Sequence, residues 1–211
     1  MNESPESNLP IDSKFELGNQ IHLLDQYAQH CPFFSCRFDH ASNIMHVKFT
    51  GKFVCGILQN RSGTAEPIFN DEQEIELSLL PEFPRMPPKI TWTTSIFHPN
   101  VPPGGRIHLP EIELQWDPRM SLDVICERLW DIARLAYLAP ENSTNSSAGN
   151  WFQKQINVEL PLDFRRFEIP QEIQLKNIFT YRLKTQGHAE PTRPQKDQVV
   201  VENPNGIIFI D

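Results

Sequence analysis

Apolar positions recur along the chain with two different periods, and the changes of period divide it into elements. From Lys14 to His30, Leu17, Ile21, Leu24 and Ala28 fall at helical spacing, which predicts an amphipathic first helix that ends before Pro32. The period then drops to two. Phe34, Cys36 and Phe38 alternate with Ser35 and Arg37, and Met45, Val47 and Phe49 alternate with His46 and Lys48. Asn43, in the polar HASN segment between these runs, suits a hairpin turn. The stretch 59–72 reads as a loop. After it Ile75, Leu77 and Leu79 point inward against Glu74, Glu76 and Ser78, and in KITWTT Ile90, Trp92 and Thr94 alternate with Lys89, Thr91 and Thr93. Four half-buried strands taken in chain order make a four-stranded antiparallel meander. Helical spacing returns at Leu122, Ile125, Leu129, Ile132 and Ala136. A third helix is expected from about Ser146 to before Pro161, burying Trp151 or Phe152 with Ile156 and Leu160. The fold class is α+β.

The ends of the chain read differently. Residues 1–13 are polar and proline-containing, which predicts a disordered N-terminal segment. Beyond Leu160 the pattern is mixed, then QGHAEPTRPQKDQ reads as a linker or exposed loop. The closing VVVENPNGIIFID places two β-rich runs around Asn-Pro-Asn-Gly and predicts a terminal hairpin, whose edge offers itself to a partner strand or packs on its own domain. The expected organisation is a domain over 14–160 followed by an extension over 161–211.

The most informative stretch runs from Phe83 to Leu109. In FPRMPP each proline fixes its own φ and pushes its predecessor into extended geometry, so no helix crosses it. A strand leads from there into His98, Pro99 and Asn100, where a rigid residue stands between two side chains able to bond neighbouring backbone. Pro102, Pro103, Gly104 and Gly105 prolong the irregular backbone up to Ile107, His108 and Leu109.

FPRMPP, the strand after it, SIFHPNV, a glycine-bearing loop bend and a short I-x-L segment together resemble the core of the ubiquitin-conjugating enzymes. The downstream sequence is similar too: Trp116 with Pro118, a helix beginning SLDVI, and APENSTNSSAGNWF with Pro140, Asn145 and Ala148. The resemblance covers roughly residues 14 to 160 and implies a UBC-like fold: the meander sheet with an N-terminal helix and C-terminal helices. It also implies a cysteine eight residues after the asparagine of the HPN turn. Eight residues after Asn100 stands His108.

A conjugating enzyme needs a thiolate at that position to hold the carboxyl end of a small modifier protein as a thioester. An acyl-imidazole on histidine hydrolyses readily and makes a poor carrier. The family's standard chemistry is therefore expected to be absent, and no catalytic residue is assigned. His98, Pro99, Asn100 and His108 form a degenerate active-site loop. Asn100 is expected to shape the loop rather than to stabilise an oxyanion, and His108 to fill space or to contact a ligand. Asn142 falls where many active members carry an aspartate or serine near the incoming lysine, with Glu141 beside it. The first helix usually offers basic residues to the activating enzyme, whereas here Lys14 stands among Glu16 and Asp25. The 59–72 segment lacks the family's usual tyrosine and paired glycines.

Composition narrows the reading further. At 211 residues, with 39% hydrophobic residues and 14 Phe, the chain can bury a sizeable core. A net charge of −8 argues against general nucleic-acid binding, which needs clustered Lys and Arg. Cys31, Cys36, Cys55 and Cys126 show no paired CxxC spacing, no N-terminal leader pattern is present, and no apolar run reaches the length of a membrane span. A reduced, soluble, cytoplasmic protein is expected, with no cofactor.

His30, Cys31, Cys36 and His40 are residue types that bind zinc, but Cys31 should end a helix while Cys36 faces inward on a strand, and C-x4-C lacks a tight knuckle turn. The two cysteines read as ordinary buried thiols, with no metal. Cys126 borders the stripe of the second helix and reads as core. Cys55, in FVCGIL, is the candidate for a displaced thiol. Three functions remain open from the sequence. The first is a non-catalytic variant that binds ubiquitin, a ubiquitin-like modifier or a protein of that pathway. The second is a divergent conjugating enzyme using a displaced cysteine, and the third is a pure protein-interaction module.

Overall fold

The computed structural model describes residues 13–59, 65–154 and 159–169. Helix α1 (Ser13–His30) precedes strands β1 (Phe34–Asp39), β2 (Ile44–Gln59), β3 (Ala65–Ser78), β4 (Lys89–Trp92) and β5 (Arg106–Ile107). A 3-10 turn at Leu109–Ile112, helix α2 (Leu122–Ala133), a second 3-10 turn at Pro140–Asn142 and helix α3 (Ser146–Lys154) follow. The strands pair antiparallel in chain order, β1-β2-β3-β4-β5. This is the expected meander with one further two-residue strand, which the single apolar residue of Arg106–Ile107 is too short to announce by alternation.

Register follows the alternation read from the sequence. Phe34 pairs with Phe49, Cys36 with Val47 and Phe38 with Met45, while Val47 faces Ile75 and Met45 faces Leu77 across the next seam. Met45, Val47, Phe49, Ile75, Leu77, Ile90 and Trp92 are all buried on the helix-facing side. At the first hairpin Asn43 adopts a left-handed φ of 54°, a conformation asparagine tolerates better than most residues. The Asp39 carboxylate accepts hydrogen bonds from the Ala41 N–H (2.9 Å) and the Ser42 hydroxyl (2.8 Å), which closes the turn.

Two expectations are corrected. The loop expected over 59–72 is mostly strand: β2 runs to Gln59 and β3 starts at Ala65, and the two form a long ribbon with irregularities between Thr50 and Phe53 and between Val54 and Gly56. Over 65–72 neither face of β3 is buried, so no apolar alternation marks the ribbon. Ala136 is exposed and lies beyond α2, because Leu135 turns the chain with a left-handed φ of 60°. Helix α3 starts at Ser146 as expected and is described to Lys154, and residues 159 and 160, before Pro161, are not helical. Of the residues expected to bury beneath it, Phe152 is buried, Trp151 and Leu160 pack partly against the same cluster, and Ile156 lies outside the described residues.

Helix α2 supplies the centre of the core. Its stripe of Leu122, Ile125, Leu129 and Ile132 is fully buried, and so are Cys126 and Trp130. The Trp130 ring stacks on Phe33 at 4.2 Å and meets Phe49 and Phe53, tying α2 to the sheet. Residues 161–169 cross this core as an extended strap. Phe167 stacks on Tyr27 and sets its edge against Phe34, Arg165 lies over Phe33 and Trp130, and Arg165 Nη2 donates to the Thr50 carbonyl at 2.9 Å. The compact unit ends at Ile169. The expected linker and terminal hairpin, and the N-terminal residues 1–12, lie outside the described residues.

Candidate functional site

The HPN turn is a staple. The Phe97 N–H donates to the Val54 carbonyl (2.8 Å) and holds the approach to the turn against β2. From there the three residues each reach the segment 137–145 that precedes α3. His98 Nε2 donates to the Tyr137 carbonyl at 2.9 Å, while its Nδ1 accepts the Asn100 N–H at 3.0 Å. The Pro99 carbonyl accepts the N–H groups of Thr144 and Asn145, both at 2.9 Å. Asn100 Oδ1 accepts the Ala139 N–H (3.0 Å), and its Nδ2 donates to the carbonyls of Ala139 (3.1 Å) and, more weakly, Asn142 (3.5 Å).

His98 and Asn100 are completely buried. Burial pushes the His98 imidazole down to about 4, against the smaller upward pull of its bond to Tyr137, so it is neutral at pH 7 with its proton on Nε2. A donor and an acceptor on one ring are what the two flanking backbone groups require. The Asn100 amide is likewise occupied on both ends by backbone.

Position 108 is opposite in character. His108 follows β5 and is exposed. Its N–H donates to Glu111 Oε2 at 3.1 Å and its carbonyl accepts the Glu111 N–H at 2.9 Å, which starts the 3-10 turn and fixes the backbone under the imidazole. Gly105, with a φ of 70°, turns the chain before it, and the Gly105 carbonyl accepts the Trp92 N–H at 2.7 Å. Asn142, at the end of the second 3-10 turn, is exposed and close enough for its carbonyl to meet Asn100.

Cys55 follows Val54, whose carbonyl holds Phe97 at the approach to the HPN turn, but it is distant from position 108. It sits on the outer stretch of the β2–β3 ribbon, half-buried, with its thiol directed at the Ile68 carbonyl (3.4 Å). The rung that carries Ile107 runs through Ile90 to Leu77, nine residues further along β3 than Ile68. At a rise of about 3.3 Å per residue this is a path of roughly 30 Å along the strand. Burial raises the other three thiols: Cys36 to about 12, with Asp25 adding to the effect, and Cys31 and Cys126 in the same direction. A raised thiol is a poor nucleophile at neutral pH.

The four residues weighed as zinc ligands turn to separate partners where partners are seen: His30 Nδ1 to the Gln26 carbonyl, Cys31 Sγ to the Glu168 carbonyl, and the His40 ring to the edge of Phe38. Among the described residues no group of three or more His, Cys, Asp or Glu side chains is placed to hold a metal ion, and no helix is long and apolar enough to cross a membrane.

One polar residue of the site region escaped the sequence reading. Gln73 is fully buried and takes its Oε1 hydrogen bonds from the Trp92 indole and the Thr94 hydroxyl, while its Nε2 donates to Asn70 Oδ1 and the Ser95 carbonyl. It ties the end of β4 to β3 where the chain leaves for the HPN turn. Its position opposite Phe49 is the only sequence signal, a polar residue where the alternation calls for an apolar one.

An antiparallel meander with a helix before it, helices after it and an HPN turn stapled to the segment before α3 is the UBC-like α+β fold. Residues 62–160 match the family model described as ubiquitin-conjugating enzyme. With just under half of its 211 residues in this match, the chain shares the UBC-like fold. It is 31% identical over 98 residues to ubiquitin-conjugating enzyme E2 22 of Arabidopsis thaliana, covering 46% of this chain and 37% of that relative. It is 34% identical over 89 residues to ubiquitin-conjugating enzyme E2 S of Branchiostoma floridae (42% of this chain, 41% of that relative). To ubiquitin-conjugating enzyme E2-18 kDa of Drosophila melanogaster it is 33% identical over 82 residues (38% and 52%). The matched stretches thus span between about a third and a half of the length of these relatives.

Proposed function

We propose that this chain is a non-catalytic UBC-like protein of the cytoplasm that binds ubiquitin, a ubiquitin-like modifier or another protein of that pathway, as a scaffold or cofactor. The observation that carries this reading is the exposed imidazole of His108 on an otherwise fully formed loop. A carrier must accept an acyl group and keep it in water until an amine arrives, and an acyl-imidazole does not last. The amide of Asn100, whose oxygen and nitrogen are both taken by backbone, serves the loop's shape. Its donors are not directed at an oxyanion above position 108. Four free cysteines fit a reducing compartment.

The test is a charging assay with ATP, the activating enzyme and ubiquitin or each ubiquitin-like modifier in turn, read on gels with and without reductant. No adduct is expected, alongside normal charging of an active conjugating enzyme. A reductant-sensitive adduct that survives His108→Ala and is lost on Cys55→Ser would overturn the reading in favour of a displaced thiol. Titration of isotope-labelled ubiquitin with the protein should shift ubiquitin resonances. Silence with ubiquitin, with each modifier and with conjugating enzymes would leave a pure interaction module instead.

A further inference from the structure

Beside position 108 the surface opens into a groove of about 370 Å³, a size that admits one or two side chains of a peptide. Its walls are the proline-rich turn on one side and the start of the 3-10 turn on the other, and Leu80, Met86, Pro88, Leu109 and Trp116 make it apolar. The Trp116 indole N–H is held by the Pro84 carbonyl at 2.9 Å, so its ring is fixed in place as a wall. Met86 stands 52% exposed at the lip. An exposed flexible thioether over a rigid proline and tryptophan surface is suited to closing on an apolar side chain.

The rim is basic. Arg106 pairs with Thr91 across the β4–β5 seam, so its side chain shares a sheet face with Thr91, and Lys89 and His108 lie two residues along each strand on that same face. Lys89, Arg106 and His108 all line the groove. Lys48, Arg119, Arg128, Arg134, Arg165 and Arg166 each face a carboxylate. Among the described residues Lys89 and Arg106 face none. The nearby Glu111 carboxylate is engaged by the His108 N–H. In a chain of net charge −8, two exposed and uncompensated cations flanking an apolar groove make a local field of the opposite sign.

We infer that this groove is a docking site for an extended acidic segment of a partner protein, which inserts an apolar side chain between Met86, Leu109 and Trp116 and sets its carboxylates on Lys89 and Arg106. Recognition divides between the two parts of the site. The apolar walls supply affinity, while the cations select acidic flanks and speed encounter. The His108 ring adds a third polar group at the rim. The site stands apart from the modifier-binding reading, since it requires neither a charged carrier nor ubiquitin.

The experiment is fluorescence polarisation of the full chain with a labelled peptide, Asp-Glu-Leu-Pro-Leu-Glu-Asp, against a control in which Lys replaces each acid. The acidic peptide should bind, the basic control at least tenfold more weakly, and binding should fall with added salt. Arg106→Glu and Lys89→Glu should each weaken binding tenfold or more, whereas Arg106→Lys should stay within about threefold. Lys52→Glu, at a cation that lies over Phe69 on the distant ribbon, should change nothing. These positions are exposed, and equal thermal midpoints of the variants would confirm intact folding. Failure of the acidic peptide to bind at millimolar concentration, equal binding of the basic control, or unchanged affinity in both charge reversals would overturn the inference. So would sedimentation showing concentration-dependent dimers abolished by Met86→Glu, since the groove would then be filled by a second copy of this chain.

Discussion

At the scale of the residue, the same amino acid has opposite roles ten positions apart. His98 is a buried neutral ring that joins two backbone groups, and His108 is an exposed ring on a fixed turn. The burial of His98 has a pH signature. Its native value of about 4 lies below the ordinary value of about 6.5, so the unfolded chain takes up a proton that the native ring refuses. The stabilisation is whole above pH 6.5 and is lost as pH falls towards 4, at about 1.4 kcal/mol per unit and about 3 kcal/mol in all. Urea midpoints measured from pH 7 to pH 4.5 should show this slope. His98→Gln, which keeps a donor for the Tyr137 carbonyl but cannot titrate in this range, should be less stable at pH 7 and flatter across it.

At the scale of the element, the short strand β5 is the hinge on which the site hangs. It has two residues, and its pairing depends on Gly105 approaching the end of β4. A Cβ on Gly105 would run into the Trp92 carbonyl oxygen, and the φ of 70° is itself unfavourable for other residues. Gly105→Ala should therefore cost roughly 1–3 kcal/mol in urea unfolding. Hydrogen exchange should localise the damage, with faster exchange of the Trp92 amide while the β1–β2 amides keep their protection. A uniform loss of protection would mean that β5 is not a separable element.

At the scale of the whole molecule, the strap 161–169 completes the core. Phe167 and Ile169 are buried, and the Cys31 thiol donates to the Glu168 carbonyl beneath it. Burying the two apolar side chains is worth roughly 4 kcal/mol together. Ending the chain after Leu160 should therefore lower the thermal midpoint by roughly 10 °C relative to the full chain. It should also open Cys31 to alkylation, which mass spectrometry would read directly. An unchanged midpoint would show that the strap rests on the core without stabilising it.

Much of this molecule was legible in its sequence, for a reason rooted in periodicity. Alternating burial in β1, β2, β3 and β4 and the stripe of α2 are local patterns that a solvent-facing and a core-facing side impose on any chain, and FPRMPP and HPN are rigid enough to carry their shape in their composition. That a histidine, not a cysteine, stands eight residues after Asn100 was equally plain, because it is a matter of residue type. The tertiary structure alone decided what no local period encodes. The β2–β3 ribbon exists through bulged cross-strand pairing, and the strap binds by an arginine and a phenylalanine finding rings far away in the chain. The partners of Asn100 lie 39 and 42 residues further on. Which backbone groups a buried amide satisfies, and which cations are left without a carboxylate, depends on where distant segments meet. Only the folded chain brings those segments together.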